Sequence, residues 1–422
     1  MARLTLKGGF MRKMHKFVAA LVVVSTAMVI QSVGASADSG YCDVRCQLEL
    51  QRQNALPRTG FYDPPVPLPW APAGALIRDQ FTTDFVVGGV PVPATRILYH
   101  TRRSDGRDVA ASGVVLVPSG RPRPKDGWPV VVDAHGTSGT GRACAPSLMR
   151  DLYHGNQMVR FLQQGYVVVA PDYAGLGEDG QHELGNKVAA SNDVMDSVLA
   201  ARAALPALSR RWVVWGHSQG GGAALGVAER QVWAPTPGYL GAVVTAPAAD
   251  LRSVADHVVQ TPGLGGFAPL LAVGAHWSDP RIKVGRLLTQ AAMDRLSITE
   301  VGCLGAVLAA NADLTGTALV QPAYSDDARF NRYLEENSIG SRPVAGPVLL
   351  LQGEADTVIP QTDTDRLAAS LCRRHAAIDY RTYPGLEHDT YPGVLGIDDG
   401  TMTDILAWTA DRFAGRPVPS GC

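Results

Sequence analysis

Short apolar runs alternate with segments of helical periodicity along most of the chain. Strand-like runs occur at residues 96–101, 108–117, 130–132, 166–170, 211–215 and 242–246. Helix-like segments occur at residues 158–164, 192–205 and 220–230. From residue 130 onward the order is strand, helix, strand, and such connections require a parallel sheet with helices on both faces. The pattern therefore predicts an α/β fold.

The alternation stops between residues 251 and 345. Apolar helical stretches occur there around residues 286–296 and 302–310, without a convincing strand. Strand-like runs return at residues 348–351 and 378–383, and further helices are expected at 363–373 and 402–413. We therefore predict a core made of residues 94–250 and 346–422, with residues 251–345 as a helical cap inserted over the sheet.

The N-terminal end is typical of a secretory signal peptide. The first 37 residues carry five Lys or Arg and no acidic residue, and an apolar run at 18–30 leads to small residues ending at Ala37. This run is shorter than the roughly 20 residues that cross a bilayer, which favours cleavage after Ala37 and a secreted protein. An uncleaved anchor is the alternative, and Met11 or Met14 could be the true start.

Residues 38–93 are rich in proline, including Pro57, Pro64, Pro65 and Pro67. Proline interrupts helices and the interior of sheets. We therefore expect this segment to be an irregular, extended N-terminal arm.

The charge of the exported chain argues against nucleic acid as a partner. After removal of residues 1–37 the chain has 33 basic and 39 acidic residues, a net charge of about −6 with neutral histidine. Only Lys125, Lys187 and Lys283 remain among the lysines, and no basic run is long enough to follow a phosphate backbone. We expect instead a monomer whose partner is a small molecule or a lipid, and a lipid–water interface is one place where it could act.

All six cysteines lie in the exported part, at positions 42, 46, 144, 303, 372 and 422. An oxidising compartment favours disulfides, but six cysteines allow 15 pairings, so the connectivity stays open. No Cys-x-x-Cys pair or His-Glu-x-x-His sequence occurs. No metal and no other cofactor is predicted.

The segment at 213–222 gives the strongest functional signal. An apolar strand leads into Gly-His-Ser-Gln-Gly at residues 216–220, and an Ala-rich helix follows. This order is typical of a nucleophile elbow, in which a sharp turn exposes a serine at the carboxyl end of a strand. Ser218 is therefore the candidate nucleophile.

A serine hydroxyl needs an imidazole to accept its proton and a carboxylate to orient that imidazole. Asp356 follows the strand at 348–351, and His388 follows the strand at 378–383, which is the order Ser, acid, His expected on this kind of sheet. We predict Asp356 as the orienting acid and His388 as the general base. Glu354 is the alternative acid.

Acyl transfer also needs backbone N–H groups that stabilise the oxyanion. Gln219, at the start of the helix after Ser218, is expected to supply one. The loop after the strand at 130–132 contains His-Gly-Thr-Ser, and Thr137 is the predicted second donor, with Gly136 and Ser138 as alternatives.

Residues 175–180 match the Gly-x-Gly-x-x-Gly pattern of dinucleotide-binding loops. The match lies in the middle of the predicted sheet, and no helix is expected to begin inside it. We interpret it as a loop of the hydrolase core.

With these residues in place, the chain resembles the α/β-hydrolase superfamily and, more closely, the secretory lipase family of fungal lipase A enzymes and actinobacterial exported lipases. The resemblance is carried by the arm, the Gly-His-Ser-Gln-Gly-Gly motif, the long insertion, and Phe-Asn-Arg-Tyr-Leu-Glu-Glu-Asn at 330–337 with Gly340 and Pro343. It implies an α/β-hydrolase fold and a secreted hydrolase of carboxylic esters with a cap over the serine. Family members with an acidic side chain as oxyanion donor differ from the His-Gly-Thr loop here.

The expected function is thus a lipase or esterase acting through an acyl-enzyme. An exported peptidase, an acyltransferase and an inactive binding module on the same fold are the alternatives. Apolar residues of the cap either form an acyl-chain tunnel or dock the cap on the sheet: Leu264, Phe267, Leu270, Leu271, Val273, Trp277, Leu287, Leu288 and Leu304.

Overall fold

The structure, a computed structural model, describes residues 42–418 and residue 422. The predicted signal peptide, with its cleavage site after Ala37, lies outside the described residues. Within the described part, no helix is both long enough and apolar enough to cross a membrane.

The described residues form one sheet, and its strands from residue 128 onward pair with each other in parallel, as the sequence predicted. Its strands are β1 Leu76–Val87, β2 Val90–Arg102, β3 Asp108–Leu116, β4 Trp128–Ala134, β5 Val167–Pro171, β6 Leu208–His217, β7 Tyr239–Thr245, β8 Val348–Gly353 and β9 Ile378–Tyr383. Their order in the sheet is β1-β2-β3-β5-β4-β6-β7-β8-β9. Pairs from β1 to β5 along this order are antiparallel, and pairs from β5 to β9 are parallel.

The α-helices of the described residues connect and cover these strands. They are α1 Val44–Asn54, α2 Gly155–Gln164, α3 Lys187–Ala204, α4 Gln219–Arg230, α5 Leu251–Gln260, α6 Phe267–Ser278, α7 Val284–Leu287, α8 Gln290–Met293, α9 Ile298–Val301, α10 Leu304–Ala310, α11 Ala328–Asn337, α12 Gln361–Arg373 and α13 Ile397–Phe413. Helix α2 ends at its C-cap Gly165, whose φ of +88° favours glycine.

Alternate strand residues supply two apolar layers, one on each face of the sheet. In β6, Trp212 and Val214 belong to one layer, while Val213 and Trp215 belong to the other. Successive side chains of a strand point to opposite faces, so a strand buried on both faces is apolar throughout. Helices α3, α4 and α12 cover the first layer, and α2 and α13 cover the second.

The insertion after β7 has an apolar cluster of its own. Helices α5 to α11 lie in it, and the described residues 251–345 contain no strand, as predicted. The helical stretch expected around 286–296 is interrupted, because α7 and α8 are separate helices there. Leu288 pairs with Val320 in an isolated bridge, and the Thr289 hydroxyl accepts a hydrogen bond from Ala292 N at the start of α8.

The prediction of an irregular arm at 38–93 is also wrong in part. Helix α1 begins after Asp43, whose side chain accepts a hydrogen bond from Cys46 N, and β1 pairs with β2 across a tight turn at Gly88 and Gly89. These glycines have φ angles of +57° and +79°, which favour a hairpin turn. The prolines named above are confined to the connection between α1 and β1, and the expected core boundary at residue 94 falls inside β2.

All six cysteines form disulfides: Cys42–Cys46, Cys144–Cys303 and Cys372–Cys422. The first closes the start of α1. The second joins the segment after β4 to the insertion, over a sequence separation of 159 residues. Next to it, Leu304 N donates a hydrogen bond to Ser138 O (2.9 Å).

The parallel strands β4, β6, β8 and β9 end at the same edge of the sheet. The loops that follow them contain residues 135–138, Ser218, residues 354–357 and residues 384–389. The edge therefore collects the candidate catalytic residues from four distant parts of the chain.

Candidate active site

The turn at Ser218 is held by the close approach of backbones. Ser218 has φ 58° and ψ −120°, a region that non-glycine residues rarely occupy, and α4 begins at the next residue. A Cβ at Gly220 would lie 1.8 Å from Ala134 O, and one at Gly216 would lie 2.1 Å from Gly220 O. The two glycines are therefore required by the packing of β4, β6 and α4.

The candidate nucleophile, base and acid are in hydrogen-bond contact. His388 Nε2 lies 2.9 Å from Ser218 Oγ, and His388 Nδ1 lies 2.8 Å from Asp356 Oδ2. Because a carboxylate only accepts hydrogen bonds, Nδ1–H donates to Asp356 and Nε2 accepts from the serine hydroxyl. The arrangement can carry a proton from Ser218 to an imidazole that is already oriented.

Asp356 is fixed by its own loop. Its Oδ1 accepts hydrogen bonds from Val358 N (2.9 Å) and Ile359 N (2.8 Å), and its Oδ2 also accepts one from Gln352 Nε2 (3.1 Å). The alternative acid, Glu354, is exposed and accepts a hydrogen bond from Thr382 Oγ1 instead (2.9 Å). Only Asp356 of these two carboxylates contacts His388.

Burial and charge act in opposite directions on His388. Burial disfavours the protonated imidazole, but the adjacent Asp356 carboxylate, with smaller contributions from Asp389 and Asp398, raises the pKa of His388 above its ordinary value. The site therefore favours the imidazolium form that follows proton transfer from Ser218.

Sequence reasoning missed a role for Glu387. Its buried carboxylate accepts hydrogen bonds from Thr357 N (2.7 Å) and Thr357 Oγ1 (2.6 Å), and so joins the loop that carries His388 to the loop that carries Asp356. Its place beside His388 was the available signal, but the sequence could not indicate which loop it would contact.

The His-Gly-Thr loop lies against Ser218. A Cβ at Gly136 would be 3.6 Å from Ser218 Cβ, and the Thr137 hydroxyl donates to Gln219 Oε1 (3.0 Å). His135 Nδ1 lies 2.6 Å from Gly136 O, on the far side of the peptide that carries Thr137 N. Since C=O and N–H point in opposite directions in a trans peptide, this contact directs Thr137 N–H away from His135.

His182, which the sequence did not indicate as a site residue, holds the side chain of Gln219 through a chain of two hydrogen bonds. Gln219 Nε2 lies 3.3 Å from His182 Nε2, and His182 Nδ1 lies 3.2 Å from Ala174 O. Burial lowers the pKa of His182 to about 3, so the ring is neutral and Nε2 accepts from the amide while Nδ1–H donates to the carbonyl. His182 thus fixes the side chain that receives the Thr137 hydroxyl.

The Gly-x-Gly-x-x-Gly match at 175–180 forms part of the loop that carries His182. No helix begins inside it. The buried Glu178 accepts hydrogen bonds from Gly175 N (2.6 Å) and Ser112 Oγ (3.1 Å), so the loop closes on itself. A Cβ at Gly175 would lie 2.3 Å from His182 N, which explains the glycine by packing.

A cavity lined mainly by apolar side chains opens beside Ser218. Its apolar walls come from α5, α6 and the acid loop, and include Leu251, Val254, Val258, Phe267, Leu271, Val358 and Ile359. Lys187, Asn337 and Asn186 also line it, and their side chains make hydrogen bonds or ion pairs within the protein. Lys187 Nζ contacts Ser338 O (2.7 Å) and Glu229 (3.1 Å), Asn337 Oδ1 accepts from Lys187 N (3.1 Å), and Asn186 caps α3.

The apolar residues of the insertion fall into two groups. Phe267 and Leu271 line the cavity, whereas Leu270, Leu287 and Leu288 are buried in the cluster that holds the insertion together.

Known structures resemble this fold. Candida antarctica lipase A in its closed state aligns with a TM-score of 0.73 at 18% identity, covering 87% of this chain and 89% of that one. The rice cell wall degrading esterase LipA from Xanthomonas oryzae aligns with a TM-score of 0.64 at 19% identity, covering 81% and 97%. The chain therefore has the α/β-hydrolase fold.

Sequence comparison gives the family. The secretory lipase family matches residues 153–421, a range that contains Ser218, Asp356 and His388. Secreted triacylglycerol lipase LIP2 of Malassezia globosa is 22% identical, over 86% of this chain and 82% of that protein. The probable inactive lipase MT1628 of Mycobacterium tuberculosis is 26% identical, over 85% of this chain and 82% of that protein.

The chain belongs to the secretory lipase family, and is thus a hydrolase of the lipase and esterase type.

The elbow generates a prediction about stability. Gly220→Ala should lower the free energy of unfolding by about 3 kcal/mol or more, because the new methyl group overlaps a backbone carbonyl. Gly222→Ala is the matched control. Its Cβ would lie 3.7 Å from Ala248 O, an ordinary contact, and alanine is the better helix former, so stability should be kept or increased. Equal unfolding midpoints in urea for the two variants would contradict the packing argument.

Proposed function

We propose that this protein hydrolyses carboxylic esters through a Ser218-His388-Asp356 triad and an acyl-enzyme intermediate. The observation that carries the proposal is the continuous contact from Ser218 Oγ to His388 Nε2 (2.9 Å) and from His388 Nδ1 to Asp356 Oδ2 (2.8 Å). The three side chains come from distant loops and meet beside a cavity in the order that a proton relay needs. A network that only stabilised the fold would not need this order or this place.

In the first half of the reaction, His388 takes the proton of Ser218 as its oxygen attacks the ester carbonyl. Asp356 stabilises the imidazolium, and the same proton then passes to the departing alcohol. In the second half, His388 activates a water molecule that attacks the acyl-enzyme and releases the acid, which regenerates Ser218.

We assign the stabilisation of the negative charge on the carbonyl oxygen to two backbone N–H groups. Gln219 N–H is at the N-terminus of α4, where the helix dipole favours an anion. Thr137 N–H is the second donor, supported by the contact of His135 with Gly136 O and by the hydrogen bond from Tyr153 to Thr137 O (2.9 Å). The Thr137 hydroxyl is already donated to Gln219, which favours the backbone group over the side chain as donor.

The cavity favours an acyl chain as the group bound beside the serine, and hence a lipid ester as substrate. Its walls are mainly apolar, and Lys187, Asn186 and Asn337 are engaged in internal contacts. A peptidase would need a polar or charged group for a peptide terminus, and none of these side chains is available for that purpose.

We further propose that residues 251–345 act as a cap, since α5 and α6 supply walls of the cavity. Secretion, with removal of residues 1–37, is supported by the secretory lipase family and by the secreted relative. Three disulfides are typical of a protein from an oxidising compartment.

The central test is the loss of the nucleophile. Ser218→Ala should lower kcat for p-nitrophenyl esters by on the order of 10⁴-fold to 10⁶-fold, because the triad acts as a unit. A fluorophosphonate probe should label the native protein at Ser218 and leave the variant unlabelled, with circular dichroism verifying that both are folded. A folded native protein that neither turns over esters nor reacts with the probe would instead be an inactive hydrolase fold.

The acid is tested by a matched pair of carboxylates from one loop. Asp356→Asn should lower kcat by about 10⁴-fold, since an amide no longer holds the required tautomer of His388. Glu354→Gln, two residues away and exposed, should keep the native rate. The assignment of the acid is wrong if the larger loss occurs with Glu354→Gln.

The substrate class is tested by narrowing the cavity. Val254→Trp should reduce kcat/KM for p-nitrophenyl palmitate at least about tenfold more than for p-nitrophenyl acetate, because the indole takes the space of the chain. Val232→Trp, at an exposed position after α4, is the control and should leave the ratio unchanged. A uniform loss for both esters in Val254→Trp would place the acyl chain elsewhere.

A further inference from the structure

A second cluster of titratable side chains lies beside the triad and supplies none of its three members. His154 immediately precedes α2, His217 ends β6 directly before Ser218, and Asp398 is in the first turn of α13. All three are buried, and one ligand-type atom from each lies within 4.8 Å of the other two. The rings of His217 and His388 are 4.5 Å apart between centroids, so the cluster lies next to the catalytic base.

Buried polar atoms in this cluster lack hydrogen-bond partners. Among the described residues, His217 Nε2, Asp398 Oδ1 and Asp133 Oδ2 are buried without one. An unsatisfied buried polar atom costs about 1–3 kcal/mol, and such atoms in native proteins commonly indicate a water molecule or an ion. His217 Nδ1 and Asp398 Oδ2 lie 3.4 Å apart, and the unpartnered atoms of these neighbouring side chains favour a bound water molecule or ion.

The surroundings of His154 match those of a metal-binding histidine. Asp133 Oδ1 lies 3.0 Å from His154 Nδ1, and this contact fixes the ring and leaves Nε2 as the ligand atom. Metal-bound histidines almost always have such a carboxylate or carbonyl on the other ring nitrogen. The two residues before His154, Leu152 and Tyr153, have φ angles of 62° and 61°, so a strained backbone holds the ring in place.

We propose that His154, His217 and Asp398 bind one divalent transition-metal ion, with Zn²⁺ the best match, and that Asp133 orients His154. Two imidazoles and one carboxylate form a nitrogen and oxygen ligand set typical of zinc, whereas calcium and magnesium prefer oxygen ligands alone. Metal–ligand bonds of about 2.0–2.2 Å would draw the three atoms closer together than they lie here. A water molecule completes a tetrahedral site.

The expected consequence is structural. The ligands come from α2, β6 and α13, so the ion would crosslink the two helices that cover one face of the sheet to the strand that carries Ser218. The two carboxylates, Asp398 and Asp133, would balance its charge. The scattered positions 154, 217 and 398 form no sequence motif, which is why the sequence predicted no metal.

The test uses the full-length mature protein, stripped of metal with a chelator and titrated with Zn²⁺ or with Co²⁺, whose visible absorption reports tetrahedral coordination. We expect one ion per chain by elemental analysis after dialysis, and a Tm that rises with the concentration of Zn²⁺.

The Asp398→Asn and His154→Gln variants should each bind Zn²⁺ at least tenfold more weakly than the native protein. Asp133→Asn, which removes no ligand, should lower the affinity about 10-fold to 100-fold and covers the case in which a ligand variant fails to fold.

His100→Gln is the matched control. His100 is a buried histidine that contacts a carboxylate, Asp108 (3.1 Å), on β2 and β3, and its loss should leave binding intact. The proposal is overturned if the folded native protein takes up no stoichiometric ion, if Asp398→Asn binds as tightly as the native protein, or if binding is lost only in His388→Gln. These readouts do not depend on ester hydrolysis, so they are separate from the test of Ser218.

Discussion

The contact between the first turn of α4 and the end of β4 is the constraint on which the site depends. Only a hydrogen atom fits at the Cα of residue 220, because a Cβ would lie 1.8 Å from Ala134 O. The same approach puts Gln219 beside the loop that follows β4, where its side chain accepts the Thr137 hydroxyl. One packing contact therefore positions both the serine hydroxyl and the backbone amides beside it.

The parts of the site that follow strands could be predicted from the sequence. Ser218, Asp356 and His388 each come soon after an apolar run, and parallel strands end at a common edge, so their proximity followed from the order of elements. The same approach failed for β1, because this edge strand is largely exposed and mixes polar with apolar residues. Because prolines are frequent in the connection before β1, the whole segment was predicted to be irregular, although α1 itself contains no proline.

Side-chain contacts across long sequence separations could not be predicted. His182 contacts Gln219 over 37 residues, and Glu387 contacts Thr357 over 30, with no local pattern to indicate either pair. The same holds for His154, His217 and Asp398, which come from three elements. Local periodicity reports which face of an element is buried, but polar partners inside the fold depend on how the elements pack against each other.

The disulfide between Cys144 and Cys303 joins the insertion to the segment that follows β4. Next to it, Leu304 N donates to Ser138 O, and Thr140 Oγ1 donates to Thr299 O (2.9 Å), so residues 299–304 are tied to the loop that carries Thr137. The insertion contributes to the apolar walls of the cavity through α5 and α6, which form its first part. The insertion therefore contacts two sides of the proposed site through different parts: residues 299–304 contact the loop that carries Thr137, and α5 and α6 line the cavity beside Ser218.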